Sequence, residues 1–196
     1  MLQRCLHHIE GEENHAILYA SAGNYAWAWQ THFGREHDPS QVLGELNLFR
    51  YRPCRVLLRI DDASSQLAAA QVILAAATSG APIEISTTSA ARWAWVKELA
   101  LHLVEEDETG LIARLAEGAM VSGPQRIERL RLLVSPSMPL RQAANRALVH
   151  VIDAPVLANG RLELRHYLRE QVVSQTVHRY GNLMRVYAQP RSERDD

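Results

Sequence analysis

The sequence predicts an α/β domain: a mainly parallel sheet with flanking helices, a protruding two-stranded β-ribbon, and an N-terminal helical segment. Three observations carry this. Short apolar runs alternate with helix-periodic stretches between Cys54 and Ile152. The first of them, Val56–Ile60, is a short, largely apolar run, as strands covered on both faces are. Two further extended segments, Leu46–Arg52 and Gln171–His178, flank this region, and the connections around them are too short for another crossover unit.

Taken in order, residues 1–40 form the helical segment. Met1 to Phe33 is helix-prone, interrupted by Gly11 and Gly23, with Gly34 as a C-cap and His37-Asp38-Pro39-Ser40 as a loop. The α/β core spans 54–158. Its strands are Val56–Ile60, Ile83–Ser86, Arg129–Val134 and Val149–Ile152. The first crossover helix places apolar residues at 67, 70, 73, 74 and 77, and ends at Gly80 and Pro82. A second helix carries Trp93, Val96, Leu99, Ala100 and Leu103 on one side. A weak helix lies around Leu111 to Leu115, and the last crossover runs from Pro139 to Ala147. Helices of this length between strands demand parallel, right-handed connections, so the core is Rossmann-like. Residues 44–53 and 160–188 supply the ribbon and its connecting helix, with Leu164, Tyr167 and Leu168 on one side, and 189–196 form a polar tail.

Pro53 separates the first ribbon segment from the strand that follows it. Two lone strands are marginal in water, so the ribbon needs a partner surface. The residues expected to dock are Leu46, Leu48, Phe49, Tyr51, Val172, Val173, Thr176, Val177, His178 and Tyr180.

Composition narrows the function. Hydrophobic residues make up 47% and charged residues 22% of 196, enough for a core without metal or disulfide. A formal net charge of -1 supplies no broad basic field for nucleic acid. Two cysteines and no secretory apolar segment point to a reduced, cytoplasmic setting, and no run approaches the ~20 apolar residues of a membrane span.

Candidate chemistry is sparse. A dinucleotide needs glycines and bare N–H groups at the first strand-to-helix turn. Here that turn is Ile60-Asp61-Asp62-Ala63-Ser64-Ser65, whose carboxylates cap their own helix and repel phosphate. Cys54 sits among Arg52 and Arg55 without a paired histidine, as a buried structural thiol. Cys5, His7, His8 and His15 match no metal spacing and belong to a solvated terminal helix. His102 is a surface or boundary residue, Glu105-Glu106-Asp107-Glu108 a solvated loop, and G-x-S-x-G is absent. Trp27, Trp29, Trp93 and Trp95 read as core or interface packing. No catalytic, cofactor-binding or metal residue is therefore assigned.

His37–Ser40, Gly44-Glu45-Leu46-Asn47-Leu48-Phe49-Arg50-Tyr51-Arg52-Pro53, Asp153-Ala154-Pro155-Val156, Gly160–Leu164, Leu168–Ser174 and His178-Arg179-Tyr180-Gly181-Asn182 stand out as motifs. Together they resemble the C-terminal region of long-form proline utilization A proteins. The resemblance runs from about Tyr25 to Asn182. It implies an aldehyde-dehydrogenase-like domain without catalytic machinery, whose ribbon corresponds to an oligomerisation flap. That flap docks on the aldehyde dehydrogenase domain of the same polypeptide and helps seal a tunnel between two active sites. The parent enzyme, a flavin-dependent proline dehydrogenase joined to an NAD-dependent glutamate-semialdehyde dehydrogenase, would use FAD and NAD. Neither cysteine lies in the Gly-Gln-x-Cys setting of an aldehyde dehydrogenase nucleophile, so no catalytic residue carries over.

Two other readings stay open. A stand-alone α/β oxidoreductase or NAD-binding module would act at the carboxyl ends of the strands, near Asp61, Asp62, Ser86, Thr87 and Asp153. A free homodimer would pair ribbons edge to edge.

Overall fold

The computed structural model describes residues 1–120, 123–176, 178–179 and 182–183. The chain enters through α1 (Leu2–Leu6) and α2 (Glu12–Ala28), the latter continued by a wide π-helical turn at Trp29–Phe33. Strand β1 (Glu45–Pro53) follows, then β2 (Val56–Ile60), α3 (Gln66–Ser79) and β3 (Ile83–Thr87). A 3-10 turn at Ala94–Leu99 leads into β4 (His102–Glu105) and α4 (Glu108–Glu117). The hairpin β5 (Ala119–Met120) and β6 (Gly123–Arg126) precedes β7 (Arg129–Leu132), α5 (Met138–Arg146) and β8 (His150–Ile152). After α6 (Gly160–Glu163) and a 3-10 turn at Leu164–Tyr167 come β9 (Leu168–Thr176), β10 (His178–Arg179) and β11 (Asn182–Leu183).

The central sheet has five strands in the order β4-β3-β2-β7-β8, all parallel. This is the expected layered α/β architecture, with one more strand than the sequence suggested. Successive side chains of β2 alternate between its two faces. Val56, Leu58 and Ile60 join Ile85, the alanines of α3, and Leu18 and Tyr25 of α2 in one core. Leu57 faces the other way, with Leu130, Leu132, Leu111 and Leu115 of α4, and Leu140 of α5. Ala69, Ala70, Ala75 and Ala76 are fully buried, and such small side chains let α3 lie close to its neighbours.

Four expectations are corrected. Gly23 does not interrupt α2, which runs through it to Ala28; only Gly11, at φ 92, breaks the helical segment. The terminal helix is not solvated, because Cys5, Leu6 and Ile9 are buried against the body. The second crossover is not one amphipathic helix. Trp93 is anchored by its Nε1–H donating to the Asp61 carbonyl at 3.1 Å, and Ala100 turns left-handed at φ 59. Leu103 and His102 therefore fall in strand β4, where His102 is exposed. The acidic run is not a solvated loop either. Asp107 caps α4 by accepting from the Gly110 amide at 2.7 Å, and Glu106 is drawn inward by Arg114.

Charges inside a doubly covered sheet must be paired. On one face, Arg114 bridges Glu84 of β3 and Glu106, while Arg59 donates to Ser86 Oγ at 2.8 Å and to the Glu106 carbonyl at 2.9 Å. On the other, Arg131 of β7 meets Glu163 of α6 at 3.2 Å, both side chains fully buried. The Tyr167 hydroxyl donates to Glu163 at 2.9 Å, and the Leu157 amide does so at 3.0 Å. Burial and the neighbouring Glu163 carboxylate push the Tyr167 hydroxyl well above its usual value.

Truncating one member of a buried pair leaves the other uncompensated and costs about 3–5 kcal/mol, whereas an exposed pair contributes about 0–1 kcal/mol. Glu163→Ala is expected to show the larger loss in urea unfolding and Arg141→Ala, at a half-exposed pair, the smaller. Equal effects would contradict the assigned role of Glu163.

Candidate functional site

The ribbon is a nine-pair antiparallel ladder from Glu45↔Thr176 to Pro53↔Leu168, the pairing expected from sequence. Its root is fastened at several points. The Cys54 amide donates to the Tyr167 carbonyl at 2.8 Å, and Arg129 donates to the Leu168 carbonyl at 2.9 Å. Glu128 is the hub, pairing with Arg169 at 2.5 Å and with Arg55 at 3.3 Å. Towards the tip, Asp38 gathers the turn. Its carboxylate accepts from the amides of Asn47 at 3.0 Å, Gln41 at 2.9 Å and Ser40 at 3.0 Å. Those donors favour the ionised form and hold the Asp38 carboxyl down to about 2.

Residues directly opposite each other share a face of the ribbon. Leu46 and Leu48 accordingly lie with Val173, while Phe49 and Tyr51 lie with Val172. The second face is partly covered by its own chain. Phe33 meets Tyr51 edge-on with ring centroids 4.8 Å apart, and His37 lies 5.3 Å from Phe49. Of the residues expected to dock, Phe49 and Tyr51 are therefore held internally. Val172 is 61% and Val173 40% exposed, and Thr176 is exposed too. Val177 and Tyr180 lie outside the described residues, and His178 belongs to β10, paired with Leu183.

The ribbon's two edges differ. Phe49 gives its carbonyl and amide to His37, at 3.1 and 2.8 Å, so β1 is occupied there on its outer side. Hydrogen-bonding direction alternates along a strand. Opposite Phe49, Val172 must then point its amide and carbonyl away from β1, as must Glu170 and Ser174. Among the described residues no strand pairs with that outer edge of β9.

The second candidate is the crevice at the carboxyl edge of the sheet, between β2 and β7, where the strand order reverses. In open α/β sheets such a switch point is the usual ligand position. Here it encloses about 430 Å³ beside Ser65, Leu133, Pro136, Arg141 and Asp153. The turn beneath it carries no glycine, and its polar side chains bond their own backbone. Asp61 accepts from the Ala63 amide and the Ser64 hydroxyl, both at 2.9 Å, and Ser65 caps α3 by accepting from the Ala68 amide. The helix cap is thus Ser65 rather than the aspartates, a correction of detail that leaves the donors taken. Arg141 is neutralised by Asp153, and its guanidinium keeps that carboxyl below the usual range. The alternative edge residues do not converge on one site. Ser86 is buried, donating to Glu106 at 2.5 Å, and Asp153 lies past β8, two strands from β2.

The cysteine and histidines near the N-terminus are also dispersed. Cys5 is buried, which pushes its thiol up to about 11. His8 stacks on Trp95 and pairs with Glu98 at 3.0 Å, while His15 bonds the Ile9 carbonyl at 2.6 Å. Cys54 is buried at the start of β2, and Trp93 and Trp95 are core residues, with Trp27 half-exposed. No helix among the described residues is long and apolar enough to cross a membrane.

Sequence reasoning missed the buried ionic groups Arg59, Glu84, Arg114 and Arg131. The available signal was a charge set inside an otherwise apolar strand, in Val56–Ile60 and Ile83–Thr87.

No family model and no curated protein sequence matches the chain. Among solved structures it is similar to proline utilization A from Corynebacterium freiburgense, with 26% identity and a TM-score of 0.55 over 88% of this chain. The chain spans 14% of that protein's length. Histidinol dehydrogenase from Elizabethkingia anophelis shares the fold at 13% identity and a TM-score of 0.52, over 80% of this chain and 38% of that one. Proline utilization A from Bradyrhizobium japonicum aligns at 21% identity and a TM-score of 0.46, over 69% and 15%.

A carboxyl whose folded value is depressed stabilises the folded state above its unfolded pKa of about 3.9, and loses that contribution as pH falls through the folded value. For Asp38 the window runs from the ordinary value down to about 2. An NMR titration should show the Asn47 amide protected at pH 4 and losing protection only near the bottom of that window. Asp38→Ala should abolish the protection at every pH; retained protection would refute the turn.

Proposed function

We propose that this chain is a non-catalytic assembly domain of a larger, bifunctional proline-oxidising polypeptide. It docks through the outer edge of β9 onto the aldehyde dehydrogenase domain of that polypeptide and helps close the path between the two active sites. The observation that carries this reading is the open edge of β9, bearing Val172 and Val173 at 61% and 40% exposure. An exposed apolar edge strand is a liability in a free domain and a ready template for a strand from a neighbour. The likeness to proline utilization A over 88% of this chain supports such a polypeptide as the setting. FAD and NAD would reside on the other domains, in a cytoplasmic enzyme. The acid-capped first turn argues against a nucleotide site of its own.

The ribbon can be tested with a separately expressed dehydrogenase domain. Val172→Asp and Val173→Asp would each bury a carboxylate at the contact and should weaken association at least about tenfold, or 1.4 kcal/mol. Titration calorimetry reads this directly, and unchanged binding by both variants would sink the docking role. Calorimetry with NAD alone is expected to show no binding; a tight complex would favour the nucleotide-binding module instead.

A further inference from the structure

We infer that the exposed face of α2 is a self-association surface, on which two copies of this chain cross antiparallel at Gly23. A helix lying on a domain surface ordinarily turns charged residues to water. From position 14 to position 34 this chain has no Asp, Glu, Lys or Arg at all. The outward side of α2 instead presents Ala16, Tyr19, Ala20, Gly23, Ala26 and Trp27, every one exposed. Tyr19 is 49% and Trp27 51% exposed.

Gly23 sharpens this observation. Glycine in a helix interior is a poorer helix former than alanine, so it persists where something approaches too closely for a side chain. Among the described residues nothing does, because a Cβ built on Gly23 meets no atom within 4 Å. Gly160 shows the contrast. Its Cβ would come within 2.6 Å of the Asn24 carbonyl, so the packing of α6 on α2 explains that glycine. Whatever needs Gly23 lies outside the described residues.

The face is also matched to itself. Tyr19 and Trp27 stand four residues either side of Gly23, and Ala20 and Ala26 three either side. In a two-fold contact residue i meets j while j meets i. Crossing at Gly23 therefore sets each Tyr19 beside the other copy's Trp27, with small residues between letting the axes approach. Lacking charge, the surface suffers no repulsion against its own copy and carries no charge to select an acidic or basic partner. Both aromatics are held from behind: Gln3 Nε2 donates to the Tyr19 hydroxyl at 3.4 Å, and His32 stands edge-on to Trp27 at 5.5 Å. Less side-chain freedom is then lost on contact. Two half-exposed aromatics per copy contribute about 400 Å² in total, so that even with the small residues between them the contact stays under the roughly 1,200 Å² of standard complexes. Association is accordingly reversible, with a dissociation constant on the order of 10–100 µM.

Sedimentation equilibrium from about 5 to about 300 µM brackets that constant. The chain should pass from monomer to dimer, and Trp27→Glu and Gly23→Leu should each weaken the dimer at least about tenfold. Gly23→Ala guards against a folding artefact. It should raise the Tm of the dilute monomer by about 2–4 °C while weakening association. Val173→Asp should leave the dimer intact, which separates this face from the ribbon. A chain monomeric throughout the range, whatever else then covers α2, would overturn the inference. So would a dimer indifferent to both disruptive α2 variants, or one lost with Val173→Asp.

Discussion

Arg131 and Glu163 lie in the interior with no exposed side-chain surface, and the geometry of the rest follows from their pairing. An isolated guanidinium in the middle strands of a covered sheet is untenable, so α6 must bring a carboxylate to β7. Glu163 then has one oxygen for Arg131 and Tyr167 and the other for the Leu157 amide. Tyr167 is thereby fixed, and its carbonyl receives the Cys54 amide where β1 passes into β2. The chain leaves the body as β9 at the next residue. A buried ion pair adds little net stability over an apolar filling. Here it also determines where the ribbon departs.

The second ionic cluster works on the opposite face and at the opposite edge. Arg114 and Arg59 bind Glu84, Ser86 and Glu106 across β2, β3 and the turn after β4. The acids that would otherwise line the carboxyl edge are consumed in holding α4 down. Burial disfavours the charge on Arg59, and Glu106 offsets that most among its neighbours.

Much of this was legible in the amino-acid order. The alternation of Val56–Ile60, a helix and Ile83–Thr87 specified parallel strands, and the β-rich segments at Leu46 and Val172 specified a ribbon, because those patterns report local preference plus burial. The second crossover was not legible. Trp93, Val96, Leu99 and Leu103 fit a helical period, yet the indole bond to Asp61 and the left-handed Ala100 cut the helix short, and both depend on contacts remote in sequence. Glu106 looked solvated for the same reason: its partner Arg114 becomes a neighbour only once α4 folds back. For the ribbon, the β-prone segments identified the two strands that pair, while Phe33 and His37 decided that Phe49 and Tyr51 would face inward.

Open surface in this chain is therefore not spread evenly. Polar groups at the carboxyl edge are engaged by the chain's own caps and ion pairs, and the inner strand of the ribbon is partly covered from the N-terminal side. Besides scattered exposed side chains such as Leu43, Met138 and Leu148, the described residues leave open the outer backbone edge of β9 and the apolar face of α2. These ask for different complements, since an unpaired strand edge is met only by another extended chain, whereas a smooth helical face built round Gly23 is met by a second helix.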